Sequence, residues 1–267
     1  MLPLTDCPPE QLSSLRGVLA DIDDTITTDG KLRADAYSAM EQIQASGLLF
    51  IPITGRPAGW CDHIARMWPV DAVVGENGAF WFRYDHASRT MTRWFAKNAE
   101  LRHSDRTRLR IISEEILREV PGANLSADQL YREADLAIDF CEDVPRLPDA
   151  AIERIVEIMT AHGMTVKISS IHVNGWFGTY DKLSTTLAML LRTFGCERHA
   201  IAHRFAYIGD SPNDEPMFRH FDCTVGVANV ADFAGRMLTL PRFVTRERGG
   251  SGFAEFAQHI VRAVAAR

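Results

Sequence analysis

Short, near-continuous apolar runs alternate with helix-periodic stretches at both ends of this chain. "GVLADI" (17–22), "LLFIPI" (48–53), "DAVV" (71–74), "RFAYIG" (204–209) and "CTVGVAN" (223–229) are strand candidates. Residues 33–46 and the segment beginning at Pro57 have helical spacing, the first ending at Gly47 and the second placing proline near its start. Strands that are apolar on both faces and separated by helices imply a parallel sheet covered on each side. The expected architecture is therefore α/β: a doubly wound, mostly parallel, Rossmann-like core.

The middle of the chain has a different rhythm. "AFWFRY" and "TMTRWFAK" flank the turn-like "DHAS" and imply an antiparallel hairpin. A charged helix near 100–119, the strand "DLAIDF", a helix at 149–162 and the strand pair in "MTVKISSIHVNGWFGTY" follow. This reads as an α+β module inserted into the core, giving residues 1–82 and 181–267 to the core and 83–180 to a cap. In that cap Leu136, Ile138, Phe140, Val166, Ile168, Ile171 and Val173 are expected on a greasy face under the helices. His172, Asn174 and Trp176 are expected on the opposite, polar face, which could lie over a substrate.

A chain of 267 residues with 46% hydrophobic composition can fill such a core. Its net charge of −6 argues against nucleic acid as a partner. No apolar run approaches the roughly 20 residues of a spanning helix, so no membrane partner is expected. The first fifteen residues carry Asp, Glu and two prolines, a poor signal peptide. Five scattered cysteines (7, 61, 141, 196 and 223) read as reduced thiols, and the expected location is cytoplasmic.

Carboxylates are concentrated where the apolar runs end. "VLADIDDTITTDG" places Asp21, Asp23 and Asp24 directly after the first strand. Thr54 follows the second, Lys182 opens a later helix, and Asp210 and Asp214 follow the "YIG" strand. Ligands of doubly wound sheets bind beyond the carboxyl ends of the strands, so these groups can converge. Crowded carboxylates suit a hard divalent cation such as Mg²⁺, which takes oxygen ligands and often shares them with phosphate. An aspartate can also accept a phosphoryl group covalently, while a lysine and a hydroxyl position the phosphate.

These segments resemble the haloacid dehalogenase superfamily of phosphatases, whose four motifs occur in order as "DIDDT" (21–25), "TGR" (54–56), Lys182 and "GDSPND" (209–214). The "GENGA" stretch and the hundred-residue insert are similar to the Cof-type branch with a type IIB cap, which includes sugar-phosphate phosphatases. The resemblance implies Asp21 as nucleophile and Asp23 as general acid and then base. It implies Mg²⁺ held by the Asp21 carboxylate, the Asp23 backbone carbonyl and Asp210, with Asp214 supporting the metal shell or Lys182. Thr54 and Lys182 would bind phosphate, with Gly55, Arg56 and Asn213 nearby, and "DTITTDGKL" would form a flap. Many Cof-type proteins have Gly where this chain has Asp24.

The expected function is Mg²⁺-dependent hydrolysis of a small phosphorylated metabolite, a sugar phosphate above all. The alternatives are a phosphomutase of the phosphomannomutase type and a phosphorylation-dependent signalling module.

Overall fold

A computed structural model describes residues 1–169 and 171–266. The elements preceding the insert are β1 (Leu2–Pro3), α1 (Pro9–Ser13), β2 (Gly17–Ala20), α2 (Ala34–Ala45), β3 (Leu49–Pro52), α3 (Ala58–Met67) and β4 (Val73–Gly75), then the hairpin β5 (Phe80–Asp85) and β6 (Thr90–Phe95). The insert contributes α4 (Ala99–Glu119), β7 (Asn124–Leu125), β8 (Asp135–Asp139), α5 (Asp149–Ala161), β9 (Thr165–Ile168) and β10 (His172–Trp176). The chain then returns through α6 (Lys182–Phe194), α7 (Ile201–Arg204), β11 (Phe205–Gly209), α8 (Glu215–His220), β12 (Cys223–Gly226), β13 (Phe243–Val244) and α9 (Gly249–Ala265).

The central sheet is parallel, in the order β1-β13-β12-β11-β2-β3. Its strands are apolar on both faces because each face is covered. Val18, Ala20, Phe50, Ala206 and Ile208 pack under α1, α2, α3 and α9. Leu19, Ile51, Phe205 and Tyr207 pack under α6, α7 and α8. Strand order reverses between β2 and β11. That reversal opens a crevice at the carboxyl end of β2, where loops leave in opposite directions.

"DAVV" departs from expectation. Just past β3, Ile53 forms a parallel bridge to Val74 of β4, which pairs antiparallel with β5 in the three-stranded sheet β4-β5-β6. Phe80 and Phe82 pack in one core layer and Trp81 in the other. The hairpin 80–95 is therefore part of the core's packing.

The insert has its own four-stranded antiparallel sheet, β7-β8-β10-β9. Leu136, Ile138, Phe140 and Val173 face the apolar sides of α4 and α5, as the alternation implied. Ile168 and Ile171 are the exceptions: Ile168 ends β9 at 44% exposure, and Ile171, just before β10, lines the cavity over Asp21.

Candidate active site

Asp21 follows β2 directly, and its backbone N–H donates to Ile208 O at 2.9 Å, which prolongs the ladder to the crevice. Beyond it the chain must turn sharply. Asp24 has φ +57°, the left-handed region that favours glycine and that aspartate tolerates better than most residues. Asn229 Nδ2 donates to the Asp24 carbonyl at 2.9 Å and fixes the turn. The flap then closes on itself between Thr28 and Lys31. Its tip is Asp29-Gly30 with φ +51° and +69°, the residue pair and signs of a type I′ hairpin.

Lys182 occupies the first turn of α6, a place where the helix dipole disfavours a cation. Asp181 makes that start possible: its carboxylate accepts from Ser184 N at 2.7 Å in a reciprocal capping box. Gly78, with φ +106°, allows close approach, since a Cβ there would lie 2.2 Å from the Asp181 carbonyl oxygen. The buried ammonium donates to Asp21 Oδ1 at 2.6 Å and Asp214 Oδ1 at 3.0 Å. Burial opposes the Lys182 charge, but Asp21 and Asp214 hold its pKa above the ordinary lysine value. Its position serves the carboxylates, not the helix.

Asp21, Asp210 and Asp214 each present a carboxylate oxygen within 4.8 Å of the others, all buried. Burial raises the Asp21 pKa to about 8, a shift opposed by Lys182 and reinforced by Asp214 and Asp23. Burial and the neighbouring Asp21 and Asp214 push Asp210 up as well. The three acids share one ammonium.

Asp214 uses both its oxygens. Oδ1 accepts from Lys182 and from Tyr207 Oη at 2.5 Å; Oδ2 accepts from the backbone N–H of Asp210 at 3.0 Å and Ser211 at 3.3 Å. Four donors nearly fill a carboxylate's capacity, so Asp214 fixes the loop and the lysine. Gly209 leaves room for it, since a Cβ there would sit 2.3 Å from Asp214 Oδ2. Asp210 is held more loosely, by Thr25 Oγ1 at 3.5 Å and Asn229 Nδ2 at 3.3 Å. Two buried carboxylates with spare oxygen capacity, Asp21 and Asp210, fit a hard divalent cation.

The other expected residues divide. Asp23, Gly55, Arg56, Asn213, His172 and Asn174 line the same cavity as Asp21 and Asp210. Thr54 lies beneath it, fully buried, its Oγ1 accepting from Arg56 N at 3.0 Å. The Asp23 side chain is not in the acidic triad; its carboxylate faces Arg56 instead, at 2.8–2.9 Å. Trp176 is not at the cavity. At the far end of β10 it stacks on Tyr180, with centroids 5.9 Å apart, and donates Nε1–H to the Tyr180 carbonyl at 3.1 Å. Alternation puts His172, Asn174 and Trp176 on one face of β10, but five residues span too far for one end to share the other's ligand.

Three residues that the sequence did not reveal complete the cavity roof. Arg56 reaches from the core to Asp128 (3.3 Å) and Glu142 (2.7 Å) of the insert. Burial would raise the Glu142 pKa, but contacts with His172 and Arg56 hold it down at about 2. Arg132 pairs with Asp128 and Asp135 and donates to the Gly55 carbonyl at 2.9 Å. His172 Nε2 lies 2.9 Å from Glu142 Oε2 without hydrogen-bond alignment. The only signal in sequence was that Glu142 follows the end of an apolar strand, as Asp21 does.

Glu76 acts below the cavity. Its buried carboxylate accepts from the N–H groups of Ala58, Glu133, Ala134 and Asp135 at 2.6–3.3 Å, joining the start of α3 to the loop entering β8. Burial, reinforced by Asp135 and opposed by Arg132 and the backbone donors, raises its pKa to about 8.

Among the described residues no helix is long and apolar enough to cross a membrane. Residues 18–103 match the family model of haloacid dehalogenase-like hydrolases, which bears out the resemblance read from the motifs. No curated protein matches the chain. Solved structures share its fold at low identity. A Candida albicans trehalose-6-phosphate phosphatase C-terminal domain superposes with TM-score 0.72 at 14% identity, covering 98% of each chain. A Thermoplasma acidophilum protein gives 0.69 at 18% identity, over 92% of this chain and 98% of that one. The sucrose-phosphatase of Synechocystis, solved with sucrose and phosphate, gives 0.62 at 14% identity, over 92% and 98%.

Proposed function

We propose that this chain is a Mg²⁺-dependent phosphatase that hydrolyses a small phosphomonoester, a sugar phosphate being the favoured class. One observation carries the reading. Asp21, Lys182, Asp210 and Asp214 come from three distant segments, and their charged atoms meet in one buried cluster at the switch point of the sheet. A fold has no use for three buried acids around one lysine unless something else neutralises them. The fold shared with a trehalose-6-phosphate phosphatase domain and a sucrose-phosphatase points to the same substrate class.

In this reading Asp21 attacks phosphorus, forming the Asp21–O–P bond as the ester P–O bond breaks, and Asp23 gives its proton to the departing oxygen. Water then loses a proton to Asp23 and adds to phosphorus, releasing inorganic phosphate and the Asp21 carboxylate. Lys182 keeps Asp21 oriented and offsets charge on the phosphoryl oxygens. Asp21, the Asp23 carbonyl and Asp210 would hold Mg²⁺, which supplies positive charge to the carboxylates and the phosphoryl group together. Thr54, Gly55, Arg56 and Asn213 would embrace the phosphate, with His172 and Asn174 above them.

The cavity over Asp21 gives a water molecule only ≈ 20 Å³ in which to move, about one water's worth. Substrate entry therefore requires the roof to lift. Arg56 is the natural release point, because a phosphoryl group offers its fork the same oxygen geometry as the carboxylates it now holds.

Phosphate release from a panel of phosphomonoesters tests the proposal, run with Mg²⁺, with chelator and with Asp21→Asn. Turnover is expected only with metal and the native aspartate. Conversion of one isomer to another without phosphate release would replace hydrolysis by a mutase reaction.

A further inference from the structure

We infer that the leaving group of the substrate lodges in a second cavity, beside the first, and that it is a ring presenting a flat apolar face. The inference rests on the phosphatase reading and adds where the organic half of the ester goes.

Asp23 lines both cavities. A general acid must lie within about 2.6–3.2 Å of the oxygen it protonates, so the leaving group begins at Asp23. It can extend only where there is room. With the roof down the cavity over Asp21 holds about one water, whereas the neighbouring one already measures ≈ 520 Å³, inside the roughly 300–1,000 Å³ range of small-molecule sites.

The walls specify the occupant. Leu32 of the flap, Trp60 and His63 of α3, Trp68, and Tyr131 of the insert surround the space. Trp60 and Tyr131 remain 42% and 58% exposed. Two large aromatics left open to water around one cavity favour a ligand that covers them. Trp60 is also tied to the phosphate side, with the Arg56 guanidinium 4.4 Å above its ring. Apart from Asp23, Thr27 and His63, the lining side chains are apolar or aromatic. Aromatic planes with few polar groups match the C–H face of a pyranose or the face of an aryl ring, and match poorly a short, fully solvated chain.

Wild type, Trp60→Ala, Tyr131→Ala and His63→Trp are compared on a hexose 6-phosphate, phenyl phosphate and ring-free glycerol phosphate, each with Mg²⁺. The readout is kcat/KM for a ring ester divided by that for glycerol phosphate. The two alanine variants are expected to lower this ratio about three- to tenfold, mainly through KM, the size of a lost aromatic contact. His63→Trp, at an exposed position, fills the cavity mouth and lowers the ratio without threatening the fold. A drop confined to the hexose ester identifies a sugar; a drop with the aryl ester identifies an aromatic group. Wild-type turnover with ratios unmoved in all three variants overturns the subsite alone. A wild type that releases phosphate from none of the esters overturns the phosphatase reading, and the subsite with it.

Discussion

Replacing Asp210 with asparagine separates the two demands placed on the acidic cluster, because it removes charge without removing volume. Two ionised carboxylates within 4.8 Å repel by about 3.5 kcal/mol at an effective dielectric constant near 20. The native cluster avoids much of that by keeping protons, as the raised pKa values of Asp21 (about 8) and Asp210 indicate. The benefit of Asp210→Asn must therefore grow with pH. Without metal it should be small at pH 6 and reach about 1–3 kcal/mol at pH 9. At about 2–4 °C per kcal/mol for a chain of this size, the upper end is a rise of roughly 10 °C in Tm.

Mg²⁺ should reverse the order. At a hundred times its Kd the ion adds about 2.7 kcal/mol to the native protein, roughly 5–10 °C, and much less to the variant. Thermal melts at pH 6 and 9, in chelator and in millimolar Mg²⁺, read all four quantities. A variant that melts no higher than wild type at pH 9 without metal, or that keeps the full Mg²⁺ shift, would refute the electrostatic account of the cluster.

Lys182→Met leaves Asp21 and Asp214 without their cation; loss of one partner of a buried pair costs about 3–5 kcal/mol, measurable by urea unfolding, together with loss of phosphate release. Glu76 has a pKa of about 8 in the folded chain against 4.5 ordinarily, so the folded state binds the extra proton between those values. Its contribution is complete below pH 4.5 and is lost as pH rises through 8, so Glu76→Gln should flatten that slope in metal-free melts. Glu142, held near 2, has the opposite sign: its contribution is present above pH 4.5 and lost as pH falls towards 2. Glu142→Ala should loosen the roof, seen as faster amide exchange in residues 128–142 with α9 unchanged. Phe256, fully buried in α9 against the sheet, should cost about 3–5 kcal/mol when cut to alanine and leave the substrate profile of the remaining folded enzyme intact.

The core half of the site was legible because topology does the converging. Asp21, Thr54 and Asp210 each follow a strand too apolar to lie anywhere but the sheet interior, and Lys182 starts a helix beside them. Once the sheet is parallel, their meeting is forced. The roof was not legible. Asp128, Arg132 and Glu142 matter only because the insert folds back over β2, and that contact between distant surfaces leaves no periodicity in sequence. Trp176 shows the same limit from within the insert, since alternation assigns a face and not a distance along it. The second strand of the hairpin shows a related limit: Trp94 and Phe95 alternate as any hairpin would, and only their packing partners place them against the core.

Hydrolysis by this site requires Asp21 to take up the phosphoryl group. The direct measurement is mass spectrometry of acid-quenched enzyme during turnover of a phosphomonoester with Mg²⁺, followed by peptide mapping. A phosphoryl group on the peptide containing Asp21, absent in chelator and absent in Asp21→Asn, is the predicted result. Steady phosphate release with no phosphorylated peptide, or with turnover preserved in Asp21→Asn, would contradict it.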